Sequence, residues 1–287
     1  MRFAKMHGLG NDYVLVDTFH QDVEDPEDLS RRVSDRHRGV GSDGLILIGP
    51  SAVADARMRI FNADGSEAEM CGNGIRCVAK YCREQGRCDG DEVSIETGAG
   101  VKTLQIFMAN GHVEAVRVGM GKPLLRREEI PMTGLPDERV ADEPLQAGGR
   151  EWRCTCVNMG NPHCVIFVED VDKAPVAEIG PLIERHPAFP ERTNVHFAQP
   201  LGRREVRMAT WERGSGRTLA CGTGACAVCV ASVVTGRSNR SIVAIQPGGN
   251  LEIEFARDNS VFMTGPAETV FVGEWFDEDP APQAPQG

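Results

Sequence analysis

A chain of 287 residues, 41% hydrophobic and 25% charged, has an ordinary globular composition and is long enough for two domains, each able to bury a core. Its 31 Lys and Arg against 42 Asp and Glu give a net charge of −11, which disfavours nonspecific binding to nucleic acid or an anionic membrane and points to a small partner. No stretch approaches the ~18 apolar residues of a membrane span and the first residues lack a secretory apolar core, so the ten cysteines read as thiols of a cytoplasmic protein before they read as disulfides.

Residues 3–17 predict strand, turn, strand, with Gly8-Leu-Gly-Asn-Asp12 as the turn. Asn11 in that turn has two readings, a local one bonding its own main chain and a ligand-binding one. Residues 25–33 predict a short helix that starts acidic and ends basic, followed by a Gly-rich lead into the buried-type strand Leu45-Ile-Leu-Ile48. The alternation of residues 56–62 predicts a strand that turns at Ala63-Asp-Gly-Ser66 and delivers Glu69-Met-Cys-Gly-Asn-Gly-Ile-Arg-Cys77. Ile75, Val78, Ala79 and Cys82 then share one face of a helix ending near Gln85, and strands follow at 92–96, 101–107 and 113–118. Residues 122–150, rich in Pro, Gly and charge, read as a connector with an irregular excursion.

The same order then returns 150 residues later. Gly160-Asn161 matches Gly10-Asn11, Arg207-Met208 matches Arg57-Met58, and Leu219-Ala-Cys-Gly-Thr-Gly-Ala-Cys-Ala227 matches the stretch around Cys71. A single long offset implies a duplicated domain. The helical run after Cys221 is apolar on every side, which predicts complete burial. The expected fold is α+β (α/β): two pseudo-symmetric halves, each a curved, mostly antiparallel sheet wrapped around a central helix. The expected division is 1–119, completed by 267–276, then 120–266, then a polar, Pro-rich, disordered tail at 277–287.

A thiol at a helix start followed by Gly-x-Gly has two consequences: the helix terminus favours the thiolate, and its free amides can cradle a carboxylate. Two such copies suit racemisation or epimerisation, in which one sulfur removes a proton from a stereocentre and the other returns one on the opposite face. Oriented amides and exclusion of water must then stabilise the developing carbanion. Most cysteines among ten are small buried hydrophobes, which is the reading for Cys77, Cys82, Cys226 and Cys229. Cys88, Cys154, Cys156 and Cys164 are left unassigned. A zinc site at Cys226-Ala-Val-Cys229 is disfavoured by its apolar helical setting and the lack of a second pair, and thiol redox chemistry there by inaccessibility.

Gly8-Leu-Gly-Asn-Asp12, Asn62-Ala-Asp-Gly-Ser-Glu-Ala-Glu-Met-Cys-Gly-Asn-Gly-Ile-Arg-Cys77, Asn158-Met-Gly-Asn-Pro-His163, Arg192-Thr-Asn-Val195, Trp211-Glu-Arg-Gly214 and Ala220-Cys-Gly-Thr-Gly-Ala225 resemble the diaminopimelate epimerase family, over a span reaching about Trp275. The resemblance implies a cofactor-independent, metal-free isomerase that interconverts LL- and meso-2,6-diaminopimelate on the route to lysine and peptidoglycan precursors. It also implies a cleft between two halves and a homodimer. By it, Cys71 and Cys221 are the acid/base pair, Glu212 and His163 adjust their proton affinity, and Gly72, Asn73, Gly222 and Thr223 supply amides to the reacting carboxylate. Asn11, Asn62, Asn161, Asn194, Glu212 and Arg213 surround the substrate, with Arg213 at its distal carboxylate. Some relatives carry Gln where this chain has Gly44, leaving the recognition there to Asn194, its offset partner. The nearest alternative keeps the chemistry on another substrate, as in proline racemase-like relatives, but Asn73 and the Glu212-Arg213 pair argue against it. A noncatalytic thiol or metal-binding protein is the alternative from another class.

Overall fold

The computed structural model describes residues 1–276, so the predicted disordered tail lies outside the described residues. The first half of the chain runs β1 (Arg2–Gly8), β2 (Asn11–Asp17), α1 (Pro26–Ser34), β3 (Gly44–Gly49), β4 (Ala56–Asn62), β5 (Glu67–Ala68), α2 (Gly72–Glu84), β6 (Glu92–Thr97), β7 (Gly100–Ala109) and β8 (His112–Gly121). After β9 (Glu143–Ala147), the series repeats as β10 (Arg150–Asn158), β11 (Pro162–Phe167), α3 (Val176–Glu184), β12 (Asn194–Pro200), β13 (Glu205–Glu212) and β14 (Gly216–Thr218). It ends with α4 (Gly222–Val234), β15 (Ser241–Gln246), β16 (Gly249–Phe255), β17 (Val261–Gly265) and β18 (Glu268–Glu274).

Strand pairing repeats as faithfully as element order. β1–β2, β3–β4, β4–β5, β6–β7 and β7–β8 are antiparallel, while β2–β3 and β4–β6 are parallel. The later series gives the same senses in β10–β11, β12–β13, β13–β14, β15–β16 and β16–β17, with β11–β12 and β13–β15 parallel. Parallel neighbours need a crossover, and each of the four helices lies in one. β8 and β17 pair antiparallel and make the sheets continuous.

The outermost strands come from unexpected places. β18 pairs with β1, Arg2 opposite Glu274, whereas β9 pairs with β10, Arg150 opposite Ala147. The stretch 122–150 is therefore not irregular throughout: it contains a 3-10 turn at Arg127–Glu129 and a strand whose spatial counterpart lies at the other end of the chain. A search at constant offset cannot find that counterpart, because β9 precedes its series and β18 follows both.

Burial explains the apolar strands. In β2 and β3, Val14, Val16, Leu45 and Leu47 face a cluster with Leu29 and Val33 of α1, while Leu15, Ile46 and Ile48 face α2. A strand covered on both faces reads as a continuous apolar run. Ile75 and Val78 of α2 and Val228 and Val230 of α4 belong to one cluster, so the two central helices share a core. α4 is buried through Ser232, and Val234 emerges at 38% exposure where the helix reaches the surface. Among the described residues, no helix is long and apolar enough to cross a membrane.

Candidate active site

Both Cys-Gly-x-Gly stretches place their cysteine at the N-cap and glycine at the first helical position, three residues earlier than the apolar periodicity alone marks the helices. The two helix ends meet. A Cβ built on Gly72 would stand 3.0 Å from Met263 Cε, and one on Gly222 would stand 3.0 Å from Met263 Sδ and 3.7 Å from Asn73 Oδ1. A larger residue at either position would press on the Met263 side chain that lies between the two ends. The turn before β2 also crosses between the repeats: a Cβ on Gly10 would lie 3.4 Å from Leu219 Cδ1.

Around Cys71, Sγ lies 3.1 Å from Tyr13 Oη, 3.6 Å from Asn11 Oδ1 and 3.5 Å from the Gly74 amide that donates to it. Asn11 is held by its Nδ2 on Asp43 at 2.8 Å, leaving Oδ1 to accept from Tyr13 at 2.7 Å and from Asn73 Nδ2 at 3.3 Å. Asn73 in turn accepts from Arg76 Nη1 at 3.1 Å, and Arg76, wholly buried, also donates to Gly72 O and Pro266 O. Burial, and after it the neighbouring Cys71, pushes the Tyr13 hydroxyl well above its ordinary value, so it is a protonated donor.

The surroundings of Cys221 differ. Its Sγ donates to Glu212 Oε2 at 3.3 Å and lies 3.7 Å from Thr223 Oγ1, while its amide donates to Gln246 Oε1 at 2.8 Å. Burial first, then the Glu212 charge, push this thiol well above the ordinary range. Cys71 is half-buried and Cys221 only 4% exposed.

Other predicted residues take less expected partners. His163 is fully buried; its Nε2 donates to Asn161 Oδ1 at 2.7 Å, and its Nδ1 meets His196 Nε2 at 2.8 Å, whose Nδ1 faces Thr210 Oγ1 at 3.0 Å. Burial pushes His163 well below its ordinary value and His196 down to about 3, so both rings are neutral. Its described hydrogen bonds go to Asn161 and His196 rather than to either thiol. The Asn194 side chain is engaged at both ends, donating to Pro162 O at 2.9 Å and accepting from the Arg213 amide at 2.9 Å. Arg213 is exposed, with Nη1 on Glu191 O at 3.0 Å, and Asn62 donates to Ser66 Oγ at 2.9 Å. At Gly44 a Cβ would collide with the Phe61 carbonyl oxygen, so this backbone has no room for the Gln of some relatives.

Four residues at the centre escaped the reading of the sequence: Tyr13, Arg76, His196 and Met263. Tyr13 had one available signal, since it stands 150 residues before His163. Cys154, Cys156 and Cys164 were left unassigned, yet their sulfurs come together away from this centre. A cavity of about 830 Å³ lies elsewhere too, lined by Phe3, Asp17, Tyr81, Arg87 and Val272.

Comparison with known proteins follows this geometry. The family model described as diaminopimelate epimerase matches residues 3–125 and 155–270. A diaminopimelate epimerase of Moorella thermoacetica is 56% identical over 277 residues, covering 96% of this chain and 99% of that protein. One from Methanococcus maripaludis is 52% identical over 275 residues, with 96% and 99% covered. Among solved structures, a probable proline racemase from Agrobacterium radiobacter superposes with a TM-score of 0.70 at 18% identity, covering 98% of this chain and 94% of that one. A phenazine biosynthesis protein of the PhzF family from Bacillus anthracis gives 0.71 at 18% identity, with 96% and 99% covered. These distant likenesses establish a shared fold.

Proposed function

We propose, from the premise that this chain belongs to the diaminopimelate epimerase family and is an isomerase, that it epimerises LL-2,6-diaminopimelate to the meso form with Cys71 and Cys221 as its two acid/base groups. The observation that carries this reading is the meeting of two cysteine-capped helix ends across Met263. The reacting carboxylate lies between them on the first-turn amides of Gly72, Asn73, Gly222 and Thr223, which have no partners inside their own helices. Negative charge that develops as the α-proton leaves is stabilised there.

The two sulfurs take unlike resting roles. Cys221, buried and beside the Glu212 carboxylate, carries its proton and delivers it to the substrate. Cys71 removes the α-proton, with the Gly74 amide as donor to the sulfur and the Tyr13 hydroxyl turning its O–H from Asn11 Oδ1 to the thiolate. In the reverse direction Cys221, left as the thiolate, removes the proton, and Cys71 returns the one it has taken. His163 orients Asn161, and Asn194 orients Arg213, so these pairs together with Asn11 and Asn62 position the substrate, Arg213 taking its distal carboxylate in bidentate fashion. No cofactor is required, because both proton-transfer groups come from the chain.

We divide the chain at 119/120, with 267–276 completing the first unit; the pairing of β18 with β1 supports this. A second copy of the chain is the proposed partner, and the edge strand β18 supports it, being exposed on both faces: Val270, Phe271 and Val272 are 56%, 46% and 75% exposed, and nearby Phe276 is 73% exposed. The cytoplasm is the proposed location. Incubation with LL-diaminopimelate in deuterated water should give meso product labelled at the α-carbon. Label entering proline and not diaminopimelate would replace this substrate with another.

A further inference from the structure

Cys156 and Cys164 face one another across β10 and β11, at a position where the Cys156 amide points away from the partner strand, to Val140 O at 3.1 Å. Antiparallel pairs of this kind bring side chains closest. Cys154 stands two residues along on the same face. The result is three sulfurs all within 4.8 Å of one another, on residues 1%, 2% and 0% exposed. A metal–sulfur bond of about 2.3 Å in a trigonal arrangement separates sulfurs by about 4 Å, so the cluster needs little adjustment.

Cys164 follows His163 in sequence but points to the opposite face of the sheet, into the apolar cluster of Trp152, Ile166, Phe197 and the excursion residues Ile130 and Val140. Charge is present at its edge. Arg127 is 9% exposed and is ion-paired with Glu143 and Glu138.

We propose that Cys154, Cys156 and Cys164 form a trithiolate site for a single soft, three-coordinating cation of the Cu(I) kind, closed over by the segment 122–150. Zinc is the poorer occupant: it wants four ligands, and among the described residues no fourth His, Cys, Asp or Glu joins the group. Coordination displaces one proton from each thiol to solvent as the three metal–sulfur bonds form. The ion enters as the chain folds or when the covering segment opens, since the sulfurs have no path to solvent in the closed fold.

The test uses the full chain in a Cys71→Ser/Cys221→Ser background, so that the reaction-centre thiols do not compete. The protein is refolded with Cu(I) under a weak Cu(I) chelator, and retained copper is measured together with X-ray absorption at the copper edge. The expected result is one copper per chain surrounded by three sulfurs, with retention falling by at least about tenfold in Cys154→Ala and in Cys164→Val but not in Cys82→Ala. Circular dichroism identifies variants that fail to fold, and Cys156→Ala serves in place of any that do. No retained copper, retention unaffected by these variants, or a Cys156–Cys164 disulfide in the reduced preparation would each overturn the site.

Discussion

The stretches around Cys71 and Cys221 share a backbone and the Cys-Gly-x-Gly start, but the side chains packed around them differ. Positions 150 apart carry Tyr13 and His163, Ile46 and His196, Asn62 and Glu212, Arg76 and Cys226. One sulfur thus sits among a hydroxyl, an amide and a buried guanidinium lying one turn away, while the other faces a carboxylate. Duplication supplies two sulfurs in like places, and divergence gives them unlike neighbours. For a reaction that must take a proton on one face and return one on the other, likeness of position and difference of environment are both needed.

Removing either sulfur is the strongest way to break the comparison. Cys71→Ala and Cys221→Ala should each lower turnover of LL-diaminopimelate by about 10²–10⁴-fold or more, read as α-deuterium entry and meso product. If only one of them does so, the two stretches are not functional equivalents.

Glu212→Gln tests the difference more finely. It should lower kcat about 10²-fold, and because it takes a negative neighbour from Cys221, the alkaline limb of the kcat profile should move to lower pH. A limb that stays in place would mean that Glu212 acts on something other than this thiol.

Tyr13→Phe removes one hydrogen bond to the other sulfur, worth about 1.5–3 kcal/mol if that sulfur is charged, and should lower kcat by roughly tenfold to a hundredfold with little change in KM. An unchanged kcat would assign Tyr13 to packing against Asn11 alone.

The smallest effect concerns stability. His163 and His196 are neutral in the fold, with His196 pushed from 6.5 to about 3, whereas unfolded chains protonate them near 6.5. The unfolded state therefore binds more protons below 6.5, and stability falls as pH drops from 6.5 towards 3, by about 1.4 kcal/mol per pH unit for His196, with His163 acting in the same direction. Urea unfolding at pH 7 and pH 5 should show the loss. His196→Ile, which makes the second stretch resemble the first, should flatten the slope, and an unaltered slope would place the acid sensitivity elsewhere.

Much of this molecule was legible in its sequence. The offset between Cys71 and Cys221, the glycines after them and the apolar helix behind Cys221 are local patterns, and local patterns dictate helix starts, turns and the repetition of strand order. They also led to the family, because the Met-Cys-Gly-Asn-Gly block is long and specific. What the sequence could not convey were contacts made by register and by chain closure: Tyr13 on Cys71, His196 behind His163, Met263 between two glycines, and β18 in the place that β9 occupies for the second series. The three sulfurs of Cys154, Cys156 and Cys164 belong with these, since a cross-strand neighbour is chosen by which strands pair and in what alignment. Amino-acid order determined the two cysteine-capped helix starts because each is presented by its own short segment; tertiary structure decided their surroundings because those are assembled from segments far apart in the chain.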